Sequence, residues 1–345
     1  MNKNLIALLF IMLVYPIYGQ FTANVDSVYS FMKYNSIHHK RVNWKQEDIV
    51  FRTNVANAKT LEDTLQSFVQ VLEVLGDVHS HFTYNQRYLS YWQPVPDSVM
   101  KRVGPMLEMA NAMTNKPVVE LIQDKFLYMR IPGYQVWDPQ LIQEYTQSLY
   151  DSIVCYDPKK LKGVVVDLRW NTGGNAYPML GGLSCLLDGA VVAYQTDMNN
   201  EITDEWRILD GNLTLSGTSV VKVHGKAPKA WSKIPVVVLT GPITNSSGSL
   251  VAIAFKGRPC TTSMGEPTAV GYTTCNGYFW FNDQLSFNFA VSHFADRDKT
   301  IYPDNVSPSQ EIRVASEMLD LESDKLILEA LVFLEKKGTH AEKKK

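Results

Sequence analysis

Two short runs of β-branched residues constrain this chain more than any other feature: Gly163-Val-Val-Val-Asp-Leu-Arg and Ile234-Pro-Val-Val-Val-Leu-Thr. Neither alternates apolar with polar, so each reads as a strand buried on both faces, the habit of parallel sheets. Each is followed by a glycine-containing loop and then by a helical stretch, Tyr177 to Leu187 after the first and Ser249 to Phe255 after the second. Strand, loop, helix repeated in this order predicts parallel pairing with helices laid over the sheet, an α/β (α+β) class. More strands are expected at Val118-Val-Glu-Leu-Ile and Phe126-Leu-Tyr-Met-Arg-Ile about a tight turn, at Tyr278-Phe-Trp-Phe, and at Leu285-Ser-Phe-Asn-Phe-Ala-Val.

The flanks read differently. Residues 25 to 80 are helical in pattern: Thr60 is an N-cap before an acidic first turn, Leu61, Leu65, Phe68, Val69, Leu72 and Leu75 share a stripe, and Gly76 stops it. From Phe82 to Lys116 the chain is aromatic, polar and proline-containing, which predicts loop with a short helix over Val99 to Met113. Pro139 to Tyr156 is helical, and Asp320 to Lys336 forms a closing amphipathic helix before a lysine-rich tail. At the other end, Lys3, an apolar run from Leu5 to Ile17, and Tyr18-Gly19-Gln20 have the layout of a secretory signal peptide, since the run is short for a membrane span. An anchoring N-terminal helix is the alternative. The expected organisation is a signal peptide over 1–20, a helical subdomain and connector over 21–117, a core over 118–336 and a disordered tail over 337–345. The location implied is exported, periplasmic or secreted, with no membrane span in the mature form.

A formal net charge of −2 provides no basic stripe and so no case for nucleic acid. Four cysteines are too few for a disulfide scaffold; Cys260 and Cys275 could pair in an oxidising compartment, or all four could be small buried hydrophobes. No cysteine pair has metal-knuckle spacing, and His38-His39 reads as surface.

Chemistry is expected just past the carboxyl ends of the two buried strands, where open α/β sheets build their sites. In Asp167-Leu-Arg-Trp-Asn-Thr-Gly-Gly-Asn, the paired glycines can turn sharply and present bare N–H groups, the requirement of an oxyanion hole; a plain Gly-Gly turn looks the same. In Leu239-Thr-Gly-Pro-Ile-Thr-Asn-Ser-Ser-Gly-Ser-Leu, Ser246, Ser247 and Ser249 compete to be a nucleophile at a helix's positive end, or serve only as caps. A base is available in Leu75-Gly-Asp-Val-His-Ser-His, where His79 and His81 follow the end of a helix.

Together these segments resemble the tail-specific, or C-terminal processing, protease family of serine peptidases, especially its tricorn-core-like members. The family signature Asp-Leu-Arg-x-Asn-x-Gly-Gly is met by Asp167, Leu168, Arg169, Asn171, Gly173 and Gly174; its nucleophile segment by Ser247-Gly-Ser249-Leu; its Gly-Glu-x-Thr by Gly265 to Thr268; its Leu-x-Asp-x-His-Ser by Leu75 to Ser80. The four occur in family order across residues 30 to 315. The resemblance implies a ClpP/crotonase-like core, a mostly parallel sheet flanked by helices, behind a small N-terminal helical subdomain. It implies a serine endopeptidase acting by acyl transfer on peptide or protein substrates, with no metal or organic cofactor. Ser247 takes the nucleophile's place and His79 the base's, and the amides of Gly248 and of Gly173 or Gly174 would hold the oxyanion.

Three departures matter. The lysine many members use as base would stand where Gly271 is, so a Ser–Lys dyad is not available. The family's orienting Glu is absent, with Asp304 the nearest substitute and Asp298 behind it. Roughly 35 residues separate His81 from Val118, too few for a PDZ domain, so Arg169 is expected to be a core ion-pair partner. A catalytically inactive peptide- or ligand-binding protein on the same fold is the alternative, as in the superfamily's retinoid-binding modules. An α/β-hydrolase esterase would want Gly-x-Ser-x-Gly, which Asn-Ser-Ser-Gly-Ser does not match. Oligomeric state is not implied.

Overall fold

The computed structural model describes residues 17–187, 189–315 and 320–342, so the signal peptide expected over 1–20 lies largely outside the described residues. The chain forms two compact units: residues 1–91 with Gly277–Phe289, and residues 92–276 with 290–345.

The first unit opens with helices α1 (Ile17–Asn35), α2 (Trp44–Asn57) and α3 (Leu61–Leu75). Helix α3 begins at a capping box, in which Thr60 Oγ1 accepts from the Asp63 amide and Asp63 Oδ2 accepts from the Thr60 amide. It ends at Gly76, whose φ of +64° is the left-handed C-cap that glycine favours. A line of rings welds the unit together: Tyr29 on Phe51, Phe51 on Phe68, Phe68 on Phe82, and Phe82 on Phe287, with centroids 4.0, 4.9, 5.5 and 4.1 Å apart. Phe82 lies in a hairpin of β1 (His81–Tyr84) and β2 (Arg87–Ser90), in the stretch expected to be loop. Asn85 and Gln86, both at positive φ, turn it, and β1 pairs antiparallel with the returning segment Leu285–Asn288.

The second unit holds α4 (Asp97–Ala112), β3 (Val118–Ile122), β4 (Phe126–Arg130), α5 (Pro139–Val154), β5 (Gly163–Asp167), α6 (Ala176–Gly182), α7 (Ser184–Leu187), β6 (Val191–Thr196), β7 (Ile202–Leu209), β8 (Asn212–Leu215), β9 (Thr218–Val221), β10 (Val236–Thr240), α8 (Ser247–Ala254), β11 (Thr261–Gly265), β12 (Thr274–Asn282), β13 (Leu285–Ala295), β14 (Gln310–Glu311) and α9 (Lys325–Glu342), the last two strands before β14 being shared with the first unit. Among the described residues, the order β14-β11-β10-β5-β4-β3 makes a sheet that is parallel except for its edge strand β3. Strands β5 and β10, the two valine runs, lie side by side at its centre and every residue in them is buried. Layers cover both faces: Met179, Leu180 and Ile253 on one, Leu326, Ile327, Leu331 and Leu334 on the other. Helix α9 comes so close that a Cβ on Gly163 would sit 2.5 Å from Leu334 Cδ2. A meander, β6 to β9, pairs antiparallel, and the end of β13 joins it through β6.

The two units divide after Tyr91, and α4 is tied to the second unit by the Arg102–Glu266 ion pair and by Met106, which is fully buried. Helix α9 runs to Glu342, through most of the tail expected to be disordered from 337, after a stretch in which lysine and glutamate are good helix formers. All four cysteines are free thiols.

Candidate active site

The loop after β5 is a chain of short-range contacts. The Asn171 amide donates to the Leu168 carbonyl (3.0 Å), closing a turn with Arg169 and Trp170 at its corners. The Asn171 side chain then ties three backbone groups: Nδ2 donates to the carbonyls of Ile131 and Pro132 (3.1 and 3.2 Å), and Oδ1 accepts from the Gly173 amide (2.9 Å). Gly173 and Gly174 have φ of +93° and +112°, and a Cβ on Gly174 would sit 2.2 Å from the Tyr134 carbonyl oxygen. Only glycine fits there.

The loop after β10 is sewn to the first. Thr244 Oγ1 donates to the Leu168 carbonyl (2.7 Å) and accepts from the Gly241 amide (3.0 Å), and the Asn245 amide donates to the Asn171 carbonyl (3.0 Å). Asn245 to Gly248 forms a tight turn, closed by the Gly248 amide on the Asn245 carbonyl (2.8 Å), with Ser246 at φ +50°, ψ −120°. That is the first corner of a type II′ turn, where glycine is the usual occupant, and a non-glycine residue there costs on the order of 1–3 kcal/mol. Strain of this size persists only where surrounding bonds hold it, and here three of them do. Ser247 follows as the first residue of α8. A Cβ on Gly248 would lie 2.8 Å from Asn171 Oδ1 and 2.9 Å from its Cγ, so the helix starts hard against that side chain.

Ser247 is 6% exposed, and its hydroxyl has no hydrogen-bond partner among the described residues. A buried polar group left unpaired costs about 1–3 kcal/mol and is rare in native proteins. The Ser249 hydroxyl is also unpaired, but that residue is wholly buried and has no surface to offer a substrate. Of the competing serines, Ser247 combines an unpaired hydroxyl, the positive end of an eight-residue helix and incomplete burial.

The expected oxyanion donors divide. The Gly248 amide closes its own turn and the Gly173 amide is held by Asn171, while the Gly174 amide makes no hydrogen bond among the described residues. A tight turn uses its fourth N–H internally, and for this reason Gly248 is not a free donor here. Gly174 is.

The histidine segment belongs to the first unit. Asp77, 1% exposed, organises it: Oδ1 accepts from the amides of His79 and Ser80 (3.0 and 2.9 Å), and Oδ2 accepts from the Ser80 hydroxyl. Burial holds the Asp77 carboxyl above its ordinary range despite those bonds. His79 is half-buried, and burial first, then the neighbouring His81, pushes its imidazole down to about 3. The ring is therefore neutral at pH 7, the form a general base requires. Asp77 holds the histidine segment in place though no charge pattern marked it out; its only sequence signal is its place in Leu75 to Ser80.

The Asp304 carboxylate is exposed and makes no hydrogen bond among the described residues; its backbone carbonyl accepts from the Gly271 amide (2.7 Å). Asp298 is exposed as well. The buried acid of that segment is Asp296, but its oxygens are taken by the Asp298 and Thr300 amides and the Tyr302 hydroxyl (2.9, 3.0 and 2.7 Å), which fold the loop. Arg169 is the buried ion-pair partner expected, held by Asp167 and Asp324.

Comparison with known proteins agrees with the core's architecture. The family described as peptidase family S41 matches residues 125–312. A nisin-resistance protein of Lactococcus lactis subsp. lactis is 29% identical over 250 residues, which cover 72% of this chain and 69% of that protein. The structure of a lipoprotein from Streptococcus agalactiae superposes with a TM-score of 0.67 at 20% identity, covering 95% of this chain and 99% of that one. The photosystem II D1 C-terminal processing protease superposes with a TM-score of 0.55 at 13% identity, covering 89% and 96%. At these identities the two structures show a shared fold. Among the described residues, no helix is long and apolar enough to cross a membrane.

Two outcomes are expected. Gly248→Ala would stabilise α8 by up to about 1 kcal/mol if helix propensity alone counted. The contact with Asn171 reverses the sign, and urea unfolding should show a loss of about 1–3 kcal/mol. For His79, the folded ring titrates near 3 against an ordinary 6.5, so the unfolded chain takes up its proton first as the pH falls. The stability held by the neutral ring is complete above pH 6.5 and drains between 6.5 and 3. The urea midpoint should fall across that window, and less steeply in His79→Gln.

Proposed function

This chain belongs to peptidase family S41 and is a serine-type peptidase, and from that premise we propose that it is an exported endopeptidase working by acyl transfer through Ser247, with His79 as general base. The observation that carries the assignment is the Ser247 hydroxyl, buried, unpaired and set at the start of α8 by a strained turn. A neutral imidazole at His79 and the open Gly174 amide support the remaining roles.

In this reading His79 takes the Ser247 proton as Oγ attacks the peptide carbonyl. The carbonyl oxygen becomes an oxyanion held by the Gly174 amide and the positive end of α8, and His79 returns the proton to the leaving amine. Water, activated by the same ring, then frees the acyl group and restores the serine. The Gly248 amide can join the hole only by sharing its hydrogen with Asn245. Asp304 is not part of the proposal, because an exposed carboxylate offers no desolvated partner to an imidazole. Export rests on the signal layout of residues 1–20, and the description of a structure of like fold as a lipoprotein is consistent with it.

Ser247→Ala and His79→Ala should each lower turnover of a fluorogenic peptide library by about a thousandfold or more while leaving the folded spectrum intact. Unchanged turnover in either variant rules out the role given to that residue.

A further inference from the structure

The turn that carries Asn171 is gripped from behind by the C-terminal helix. Arg169, at the first corner of the Leu168–Asn171 turn, is 3% exposed. Its Nε and Nη2 donate to Asp167 (3.0 and 2.7 Å), the last residue of β5, and its Nη1 donates to Asp324 Oδ2 (2.7 Å). The Tyr128 hydroxyl adds a bond to Asp167 Oδ2 (2.8 Å). Trp170, at the second corner, is 2% exposed and packs in the same cluster as Leu326, Ile327 and Leu331 of α9. One corner is thus bonded to the cap of α9 and the other lies in the apolar cluster that α9 helps to build.

Asp324 has a second task. Its Oδ1 accepts from the amides of Leu326 and Ile327 (2.9 and 3.2 Å), so it is the N-cap of α9 as well as the partner of Arg169. Two buried carboxylates face one guanidinium, and the positive end of α9 answers the surplus negative charge. A buried ion pair adds little net stability compared with well-packed apolar groups. What it does provide is direction: a planar fork fixed at both ends can take only one position.

From these contacts we infer that Asp324 is a positioning residue for the peptidase reaction. Through Arg169 it fixes the Leu168–Asn171 turn, hence the Asn171 side chain, hence Gly173, the Gly174 amide and the Asn245 end of the nucleophile turn. No step of the chain is longer than one hydrogen bond or one residue of backbone. The C-terminal helix is on this account a working part of the site. The inference rests on the assignment of Ser247 as nucleophile.

The test is the rate at which an alkyl fluorophosphonate labels Ser247, resolved into a saturating rate and a half-saturating concentration. Asp324→Asn keeps one oxygen to cap α9 but sets an NH2 group in place of the oxygen that meets Arg169 and removes the charge; Asp324→Ala removes the cap as well. Glu335→Gln loosens the same helix at its far end, where Glu335 pairs with Lys125 and Lys162. The saturating rate should fall about tenfold in Asp324→Asn and further in Asp324→Ala, with the half-saturating concentration within about twofold, whereas Glu335→Gln should label like the parent. Should Asp324→Ala not fold, the Asn variant alone decides. Parent-like labelling of a folded Asp324→Asn, or an equal loss in Glu335→Gln, overturns the inference. No labelling of the parent protein, or equal labelling of Ser247→Ala, overturns instead the nucleophile assignment beneath it.

Discussion

The Asn171 carboxamide is the contact on which the second unit's site depends. It donates to the end of the β4 segment, accepts from the glycine loop after β5, and bars any side chain at the start of α8, while the backbone carbonyl of the same residue receives the amide of Asn245. Two segments distant in sequence, at 131–132 and 245–248, are gathered with the adjoining glycine loop around one residue. In a dry interior such bonds are stronger than in water, and leaving one unmade is costly, so the arrangement is stiff as well as stable.

That stiffness explains how the protein keeps two unfavourable features. Ser246 sits in a backbone conformation that glycine would adopt more easily, and the Ser247 hydroxyl is buried without a partner. Together these cost a few kcal/mol, a large share of the 5–15 kcal/mol by which a domain is stable. They are offset by the bonds of Thr244, Asn245 and Gly248, and by the all-valine centre of the sheet against which both loops end. A reactive hydroxyl needs an open lone pair and a fixed position, and both follow from strain held by a rigid frame.

The centre of the fold was legible because its chemistry is local. Five consecutive buried positions in Gly163–Asp167 and Val236–Thr240 admit one structure, and Thr60 with Asp63 writes its own helix start. The hairpin at 81–90 was not legible, since Asn85-Gln86 lacks a glycine and Phe82 is held by rings from elsewhere in the chain. The β6–β9 meander did carry turn signals in Asp210-Gly211 and Ser216-Gly217, but its strands are short and half polar. Among the residues of the proposed reaction, Ser247, His79 and the glycines were marked out by motif order. Which amides are free did not, because that is decided by where the Asn171 side chain points. The exposure of Asp304 likewise depends on Asp296 folding the preceding loop.

The account stands on Ser247 being the activated hydroxyl of its segment, and the site of a covalent adduct reads that directly. Reaction with a fluorophosphonate forms an Oγ–phosphorus bond as fluoride leaves, and fragmentation of the labelled peptide locates the added mass. A single adduct on Ser247, absent after denaturation of the protein before labelling, is the result predicted. An adduct on Ser246 or Ser249, or one that survives denaturation, would contradict it.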